Sequence, residues 1–92
     1  MRVVVRFAAS SLKTTNAALN LTASAQRYRD ALETALRAAL PAHTVEVIID
    51  PAAPSLTVST EDPDTALGRA IERDVLDHAW VVRQMSDWTV VR

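Results

Sequence analysis

The sequence has no cysteine and only one glycine, and each shortage excludes a class of site. Without cysteine there is no disulfide, no thiolate zinc site and no cysteine nucleophile. Loops that cradle phosphate need several glycines, because only glycine lets the backbone approach the phosphate so closely. Gly68 stands alone inside a predicted helix. The sequence therefore contains neither a P-loop nor a dinucleotide-binding fingerprint.

The chain also lacks an excess of either charge and any long apolar run. Ten Lys and Arg residues face eleven Asp and Glu residues, for a net charge of −1, whereas dedicated nucleic-acid binders usually carry a clear basic excess. No stretch approaches the roughly 18 apolar residues of a membrane helix, and residues 1–6 lack the pattern of a signal peptide. We therefore expect a cytoplasmic protein without a membrane partner. Nucleic-acid binding remains an alternative that would use a local basic patch.

Length and composition are those of one folded domain. The chain has 92 residues, of which 49% are hydrophobic and 23% charged, and these proportions argue against disorder. We expect a single domain over residues 1–92. A chain this short buries a modest share of its surface, so each core side chain matters for stability.

Four short segments are predicted to be β-strands, at residues 2–8, 43–50, 55–60 and 88–92. The first three show the alternation of apolar and polar residues that is typical of half-buried strands. A turn at 50–54, which contains two prolines, separates the second strand from the third, and these two strands are predicted to form a hairpin. Residues 9–20 are predicted to be a long loop, of a kind that is often functional.

Two segments show the three-to-four-residue apolar spacing of amphipathic helices. The first covers residues 22–40, with Thr22 as its predicted N-cap. The second begins with Asp62 as N-cap and Pro63 in the first helical position, and it ends between residues 82 and 86.

The resulting order of elements is β-α-β-β-α-β, the pattern of a ferredoxin-like sandwich. This α+β fold has two layers, a four-stranded antiparallel sheet and two helices on one of its faces. Right-handed crossovers place strands one and three at the centre of the sheet and strands two and four at its edges.

The sheet face away from the helices is the first candidate surface. Its predicted members from the first strand are Arg2, Val4 and Arg6, and the other strands add Glu46, Ile48, Thr57, Ser59 and either Trp88 or Thr89. Apolar residues between arginines suit the docking of a protein, although the face is equally compatible with simple solvation. An RNA-binding sheet would carry stacking aromatics, and Phe7 falls in the core phase.

The two tryptophans are the second candidate. Trp80 lies off the apolar stripe of the second helix, near Leu76 and Arg73, and Trp88 opens the last strand. An exposed tryptophan is a typical interface anchor, whereas a buried one at the edge of the sheet belongs to the core. The sequence leaves both alternatives open.

Other clusters of reactive side chains have simpler structural explanations. His78 follows Asp74 by four residues on one helix face, but two ligands do not make a metal site. The acidic residues at 61, 62 and 64 lie where the start of a helix favours negative charge. Tyr28 lies on the apolar stripe of the first helix, so the arginines at 27 and 29 face water. No Gly-x-Ser-x-Gly elbow surrounds the hydroxyls at 10–15. We predict no catalytic residue, no metal site and no cofactor.

The sequence thus predicts a small non-catalytic protein-binding module that uses its exposed sheet face and edge strands. An inhibitor, an adaptor or an assembly subunit fits, including one encoded by a phage or mobile element. The partner is expected to be another protein or a second copy of the chain. The predicted contact residues are Arg2, Val4, Arg6, Ile48, Trp80 and Trp88. The alternatives are a homodimeric regulatory domain that binds a small ligand and a weak nucleic-acid-binding module.

Overall fold

The described residues form a three-stranded sheet and two helices, which confirms the predicted α+β class. The computed structural model describes residues 2–12, 18–53, 56–62, 64–85 and 87–91. Its elements in chain order are β1 Arg2–Phe7, a short 3₁₀ helix Ala9–Leu12, α1 Leu21–Ala39, β2 Thr44–Ile49, β3 Thr57–Thr60 and α2 Ala66–Met85. Some positions with predicted roles lie outside the described ranges, namely 13–17, 54, 55, 63, 86 and 92.

β1 is the central strand of the sheet. β2 pairs with it in parallel, and β3 pairs with it in antiparallel orientation on the other side, which gives the order β2-β1-β3. The composition of the strands explains this order. β1 buries Val3, Val5 and Phe7 completely, as a central strand does, whereas β3 has hydroxyl side chains at three of its four positions and suits an edge.

The predicted hairpin between the second and third strands does not form, because β1 lies between them. The turn after β2 is nevertheless present, since Asp50 Oδ1 accepts a hydrogen bond from the Ala52 N–H at 2.9 Å. The Asp50 N–H also donates to the carbonyl oxygen of Phe7 at 2.8 Å. The described start of the connection from β2 therefore lies beside the end of β1.

Neither the predicted fourth strand nor the ferredoxin-like order of the sheet is confirmed. Val91 makes an isolated antiparallel bridge with Leu19. The carbonyl oxygen of Val90 accepts a hydrogen bond from the Asn20 N–H at 2.7 Å, and the Val90 N–H donates to Ser24 Oγ at 2.9 Å. The described part of the C-terminal segment is thus attached to the start of α1 rather than to β1 or β3.

Both helices begin at residues other than those predicted. The side-chain oxygen of Asn20 accepts a hydrogen bond from the N–H three residues later, at 3.2 Å, so Asn20 caps α1 and Thr22 lies inside the first turn. Thr65 caps α2 in the same way, at 3.0 Å. Asp62 instead accepts hydrogen bonds from Thr65 through its backbone carbonyl. Side-chain oxygens at these positions satisfy N–H groups that have no partner within the helix.

The core lies between the two helices and one face of the sheet. The inward residues of β1 belong to one buried cluster with Leu32 of α1 and Val75 of α2. Tyr28 connects the layers, because its ring meets Phe7 edge-on with 5.1 Å between centroids and its hydroxyl donates to the Ala79 carbonyl oxygen at 3.0 Å. Both helices therefore cover the same face of the sheet, and most of the described side chains on the opposite face, which we call the open sheet face, are exposed.

Candidate interaction surfaces

The open sheet face has the members that the strand phase predicts for the three strands that the structure describes. The register of the strands brings together Arg2, Val4, Arg6, Thr44, Glu46, Ile48, Thr57 and Ser59. Arg2 is exposed and forms an ion pair with Glu46 at 2.9 Å, and its backbone N–H donates to Glu61 Oε1 at 3.1 Å. One end of the face therefore carries an ion pair and a hydrogen bond to a second carboxylate.

Arg6 differs from Arg2, because it forms no ion pair with any residue that the structure describes. Its neighbours across the sheet are Ile48 and Thr57, and Val4 and Ile48 are half-buried. A groove of about 250 Å³ runs along this part of the face, lined by Arg2, Val4, Arg6, Ser59, Thr60 and Glu61. Among the described residues, Arg6 thus has no ion-pair partner, and it lies beside a small apolar area.

Trp88, predicted as a contact residue, is instead part of the core. Its exposed fraction is 3%. Its indole Nε1–H donates to the Arg83 carbonyl oxygen at 3.1 Å, and its ring meets Tyr28 edge-on with 5.6 Å between centroids. The indole is buried because the end of α2 supplies a hydrogen-bond acceptor and Tyr28 supplies an aromatic edge. We therefore remove Trp88 from the candidate surface.

Trp80 lies on the surface, with 65% of its area exposed. Other large apolar side chains of α2 are exposed as well. Among the described residues, five of the six exposed large apolar side chains belong to this one helix, namely Leu67, Leu76, Trp80, Val81 and Met85. The sixth is Val91. Scattered apolar residues on a surface are ordinary, whereas neighbouring exposed apolar residues are typical of interaction surfaces, so α2 is a candidate for one.

The side of α2 opposite the core is a continuous exposed stripe, which we call the outer face of α2. Its members recur at spacings of four and three residues, and all are exposed: Ala66, Ala70, Arg73, Asp77, Trp80 and Gln84. Arg69, Leu76 and Val81 flank it and are exposed too. Residues three and four apart on a helix share one face, so the two halves of the stripe differ in character. The first half is small and basic, and the second half carries the indole.

The charged residues of the outer face form no ion pair with any residue that the structure describes. All four ion pairs among the described residues involve α1, β1 or β2. Arg73 and Asp77 stand four apart on α2, a spacing that allows an intrahelical pair, yet they form none. Their charges therefore remain available to a partner.

A second concavity lies between α1 and the end of α2. Its volume is about 410 Å³, and its lining is mostly apolar, with Ala31, Ala35, Val82, Met85 and Trp88 as apolar members and Asp30, Thr34 and Asp87 as polar ones. The groove exists because α1 presents small alanines towards α2. Its size lies within the range of small-molecule sites, about 300–1,000 Å³.

His78, Tyr28 and Arg29 each make contacts within the fold. His78 Nδ1 donates to the backbone carbonyl of Asp74 at 2.7 Å, not to its carboxylate. Burial raises the pKa of the Tyr28 hydroxyl above its ordinary value of 10.0, and the positive charge of Arg83 offsets part of that rise. Arg29 forms ion pairs with Asp30 at 2.7 Å and with Glu33 at 3.1 Å. Within the described ranges, no group of three or more histidine and carboxylate side chains lies close enough to hold a metal ion.

Sequence reasoning named Trp80 and Leu76 beside it but missed Val81 and Met85. The signal is present in the sequence, because seven of the eleven residues from 75 to 85 are apolar. A helix that packs one stripe against a core needs fewer apolar residues than this, so the additional ones must lie outside the core-facing stripe. Leu76, Val81 and Met85 are the residues that this excess places on the surface.

Comparisons with protein-family models, with curated proteins and with solved structures found no match to this chain. Neither of the two described helices is both long and apolar enough to cross a lipid bilayer.

Proposed function

We propose that this chain is a non-catalytic protein-binding module that docks its partner on the outer face of α2. The observation that supports the proposal is the exposure of Trp80 together with Leu76 and Val81 on the same helix. Leaving such side chains in water is unfavourable, at about 25 cal/mol for each Å² of apolar surface. A partner that covers them recovers this free energy, and tryptophan is among the residues that dominate binding energy at interfaces.

The neighbouring charges support a protein partner rather than a nucleic acid. The outer face of α2 and its flanks carry Arg69 and Arg73, but also Asp77, and a mixed set of this kind attracts a mixed partner surface. Over α2 as a whole, three carboxylates offset three arginines, so the helix has no basic excess to attract a phosphate backbone. The chain as a whole has a net charge of −1, which adds no long-range attraction for nucleic acid.

The open sheet face supplies a second contact area for the same function. Arg6 has no ion-pair partner among the described residues and lies beside Val4 and Ile48. The outer edges of β2 and β3 carry backbone groups that a partner strand can pair with. A module of this kind acts as an inhibitor, an adaptor or an assembly subunit, and we place it in the cytoplasm.

The test compares two valine-to-alanine variants that differ in location. Val81 and Val91 are similarly exposed, at 56% and 61%, but only Val81 flanks the outer face of α2. Tagged wild-type protein, Val81→Ala, Val91→Ala and Trp80→Ala are used to capture partners from a lysate of the source organism, with quantitative mass spectrometry. We expect Trp80→Ala to lose the captured partner, Val81→Ala to retain less of it, and Val91→Ala to match the wild type. Equal capture by all four proteins would contradict the proposal.

A second candidate function, the binding of a small apolar ligand, is favoured by the groove between α1 and α2. The alanines at 31 and 35 and the buried Trp88 give it apolar walls. Anilinonaphthalene sulfonate is a suitable probe, because its fluorescence rises in apolar sites. Ala35→Leu fills the groove and should reduce the fluorescence, whereas Ala38→Leu, on the exposed side of α1, should not. Equal fluorescence from both variants would exclude the groove as the site.

A further inference from the structure

On the outer face of α2, residues at equal distances before and after position 75 have complementary charges or sizes. Arg73 and Asp77 lie two residues on either side of position 75, and they have opposite charges. Ala70 and Trp80 lie five residues on either side, and they combine a small side chain with a large one. When two copies of a helix pack antiparallel around a twofold axis, each residue faces the residue at the equal distance on the other side. Two α2 helices centred at this level therefore place opposite charges and matching sizes in contact.

The first half of the stripe forms a suitable receptor for the indole. In knobs-into-holes packing, a side chain enters a hole formed by four residues at positions i, i+3, i+4 and i+7 of the facing helix. Opposite Trp80, those residues are Ala66, Arg69, Ala70 and Arg73, and all of them are exposed. The two alanines leave room for a large side chain. The two arginines border the hole, where a guanidinium group can lie over the indole ring and form a cation–π interaction with it.

The charges fit the same arrangement. Arg73 of one copy faces Asp77 of the other, and the twofold axis repeats this contact. Neither residue forms an ion pair within the described part of its own chain, so pairing between copies breaks no existing bond. A parallel arrangement would instead set Arg73 against Arg73 and Asp77 against Asp77, which is unfavourable. The charge pattern therefore selects the antiparallel orientation.

We propose that two copies of this chain pair through the outer faces of their α2 helices, antiparallel and centred at the level of Val75. This inference rests on the proposed function and identifies the partner as a second copy. Each copy contributes the same indole and the same hole, so the twofold contact uses both surfaces fully and the assembly stops at a dimer. One pair of helices buries less than the roughly 800 Å² per partner of a standard interface, so we expect a dissociation constant on the order of tens of micromolar.

The first measurement is sedimentation equilibrium of the full chain across a range of concentrations that spans the expected constant. The average mass of the wild type should rise from that of one chain towards that of two. Trp80→Ala should stay at the mass of one chain over the same range, and Val91→Ala should behave as the wild type. Circular dichroism of each variant shows that the fold is retained.

The second measurement exploits the ion pairs between copies. Arg73→Asp alone sets two carboxylates against each other at each contact, and Asp77→Arg alone sets two guanidinium groups against each other. Each variant should therefore dimerise at least about tenfold more weakly than the wild type. An equimolar mixture of the two variants restores opposite charges at both contacts and should recover dimers to within about threefold of the wild-type constant.

Two results would overturn the pairing. A mixture no more dimeric than its components would exclude the proposed register, and a wild type that keeps the mass of one chain throughout would exclude self-association. In the second case, a foreign protein whose capture is lost with Trp80→Ala would still support the proposed function. If the wild type does not dimerise and the capture of partners is unaffected by Trp80→Ala, both proposals are contradicted.

Discussion

The two tryptophans lie in opposite environments, and the residues around each one explain why. Trp88 finds a carbonyl oxygen for its Nε1–H at Arg83 and an aromatic edge at Tyr28. Trp80 projects from the side of α2 away from the core, beside Arg73 and Asp77. Sequence patterning placed Trp80 off the core stripe of its helix. It could not place Trp88, because the contacts that bury it come from α1 and from the end of α2.

This difference predicts unequal effects of the same substitution. Trp88→Ala should lower the free energy of unfolding by about 3–5 kcal/mol, because it leaves a cavity beside Tyr28. Trp80→Ala should change it by less than about 0.5 kcal/mol when the protein is dilute, because its side chain is mostly solvated. Urea denaturation of both variants checks the prediction. Equal losses would place Trp80 in the core.

Because of Tyr28, the free energy of unfolding is expected to vary with pH in the alkaline range. Its pKa is raised in the folded protein by burial, so the folded state keeps the phenolic proton more tightly than the unfolded state does. The contribution of this group is complete below about pH 10, the ordinary pKa of tyrosine. It is lost as the pH rises from there through the folded-state pKa.

Urea denaturation as a function of pH tests the role of Tyr28. The free energy of unfolding should fall more steeply above about pH 10 in the wild type than in Tyr28→Phe. The variant should also be less stable at neutral pH by about 1 kcal/mol, because the hydrogen bond to the Ala79 carbonyl is gone. Identical pH profiles for the two proteins would show that Tyr28 is not the titrating group.

At the scale of elements, the apolar patterns located both helices and the first three strands to within a few residues. The ends were harder to predict, because several residues near each end have side chains that can cap a helix. Asn20 and Thr22 are both good N-cap residues by type. The choice between them depends on where the chain enters α1, and that entry is held by the hydrogen bond from the Asn20 N–H to the Val90 carbonyl. A contact between residues 70 positions apart is not visible in local sequence.

The two candidate caps of α1 give a matched pair of variants. Asn20→Ala removes the oxygen that accepts from the N–H of residue 23 and should lower the free energy of unfolding by about 1 kcal/mol. Thr22→Ala changes an exposed side chain inside the first turn and should be close to neutral. Thermal unfolding followed by circular dichroism compares them. A larger loss from Thr22→Ala would restore the start of the helix predicted from the sequence.

At the scale of the whole molecule, the order of the strands was the part that the sequence could not supply. In both the ferredoxin-like order and the observed one, Val3, Val5 and Phe7 face the helices, so the apolar pattern does not distinguish them. The order of the sheet depends on which strands pair with β1, and the apolar pattern does not specify those neighbours. The hydroxyl-rich β3 occupies one edge, and β2 pairs in parallel after α1. The candidate surface was also predicted only in part. Its centre, Trp80, follows from the phase of the helix alone, and that phase can be read from local sequence.

Ser24 links the start of α1 to the C-terminal segment, and its substitution tests this attachment. Its buried Oγ accepts from the Val90 N–H at 2.9 Å. Ser24→Ala should leave that N–H without a partner, speed its hydrogen exchange and lower the free energy of unfolding by about 1–3 kcal/mol. Arg6→Glu, on the open sheet face, is the contrasting variant and should be near neutral. Unchanged exchange at Val90 in Ser24→Ala would contradict the attachment of the C-terminal segment to α1.

The most direct test of protein binding at the outer face of α2 is fluorine NMR of the chain labelled with fluorotryptophan, recorded from dilute to concentrated protein. The two tryptophans give two resonances, and Trp80→Phe assigns them. We predict that the Trp80 resonance shifts as the concentration rises, because a second copy covers the indole, while the Trp88 resonance stays in place. A Trp80 resonance that does not move with concentration or on addition of a captured partner would contradict the account.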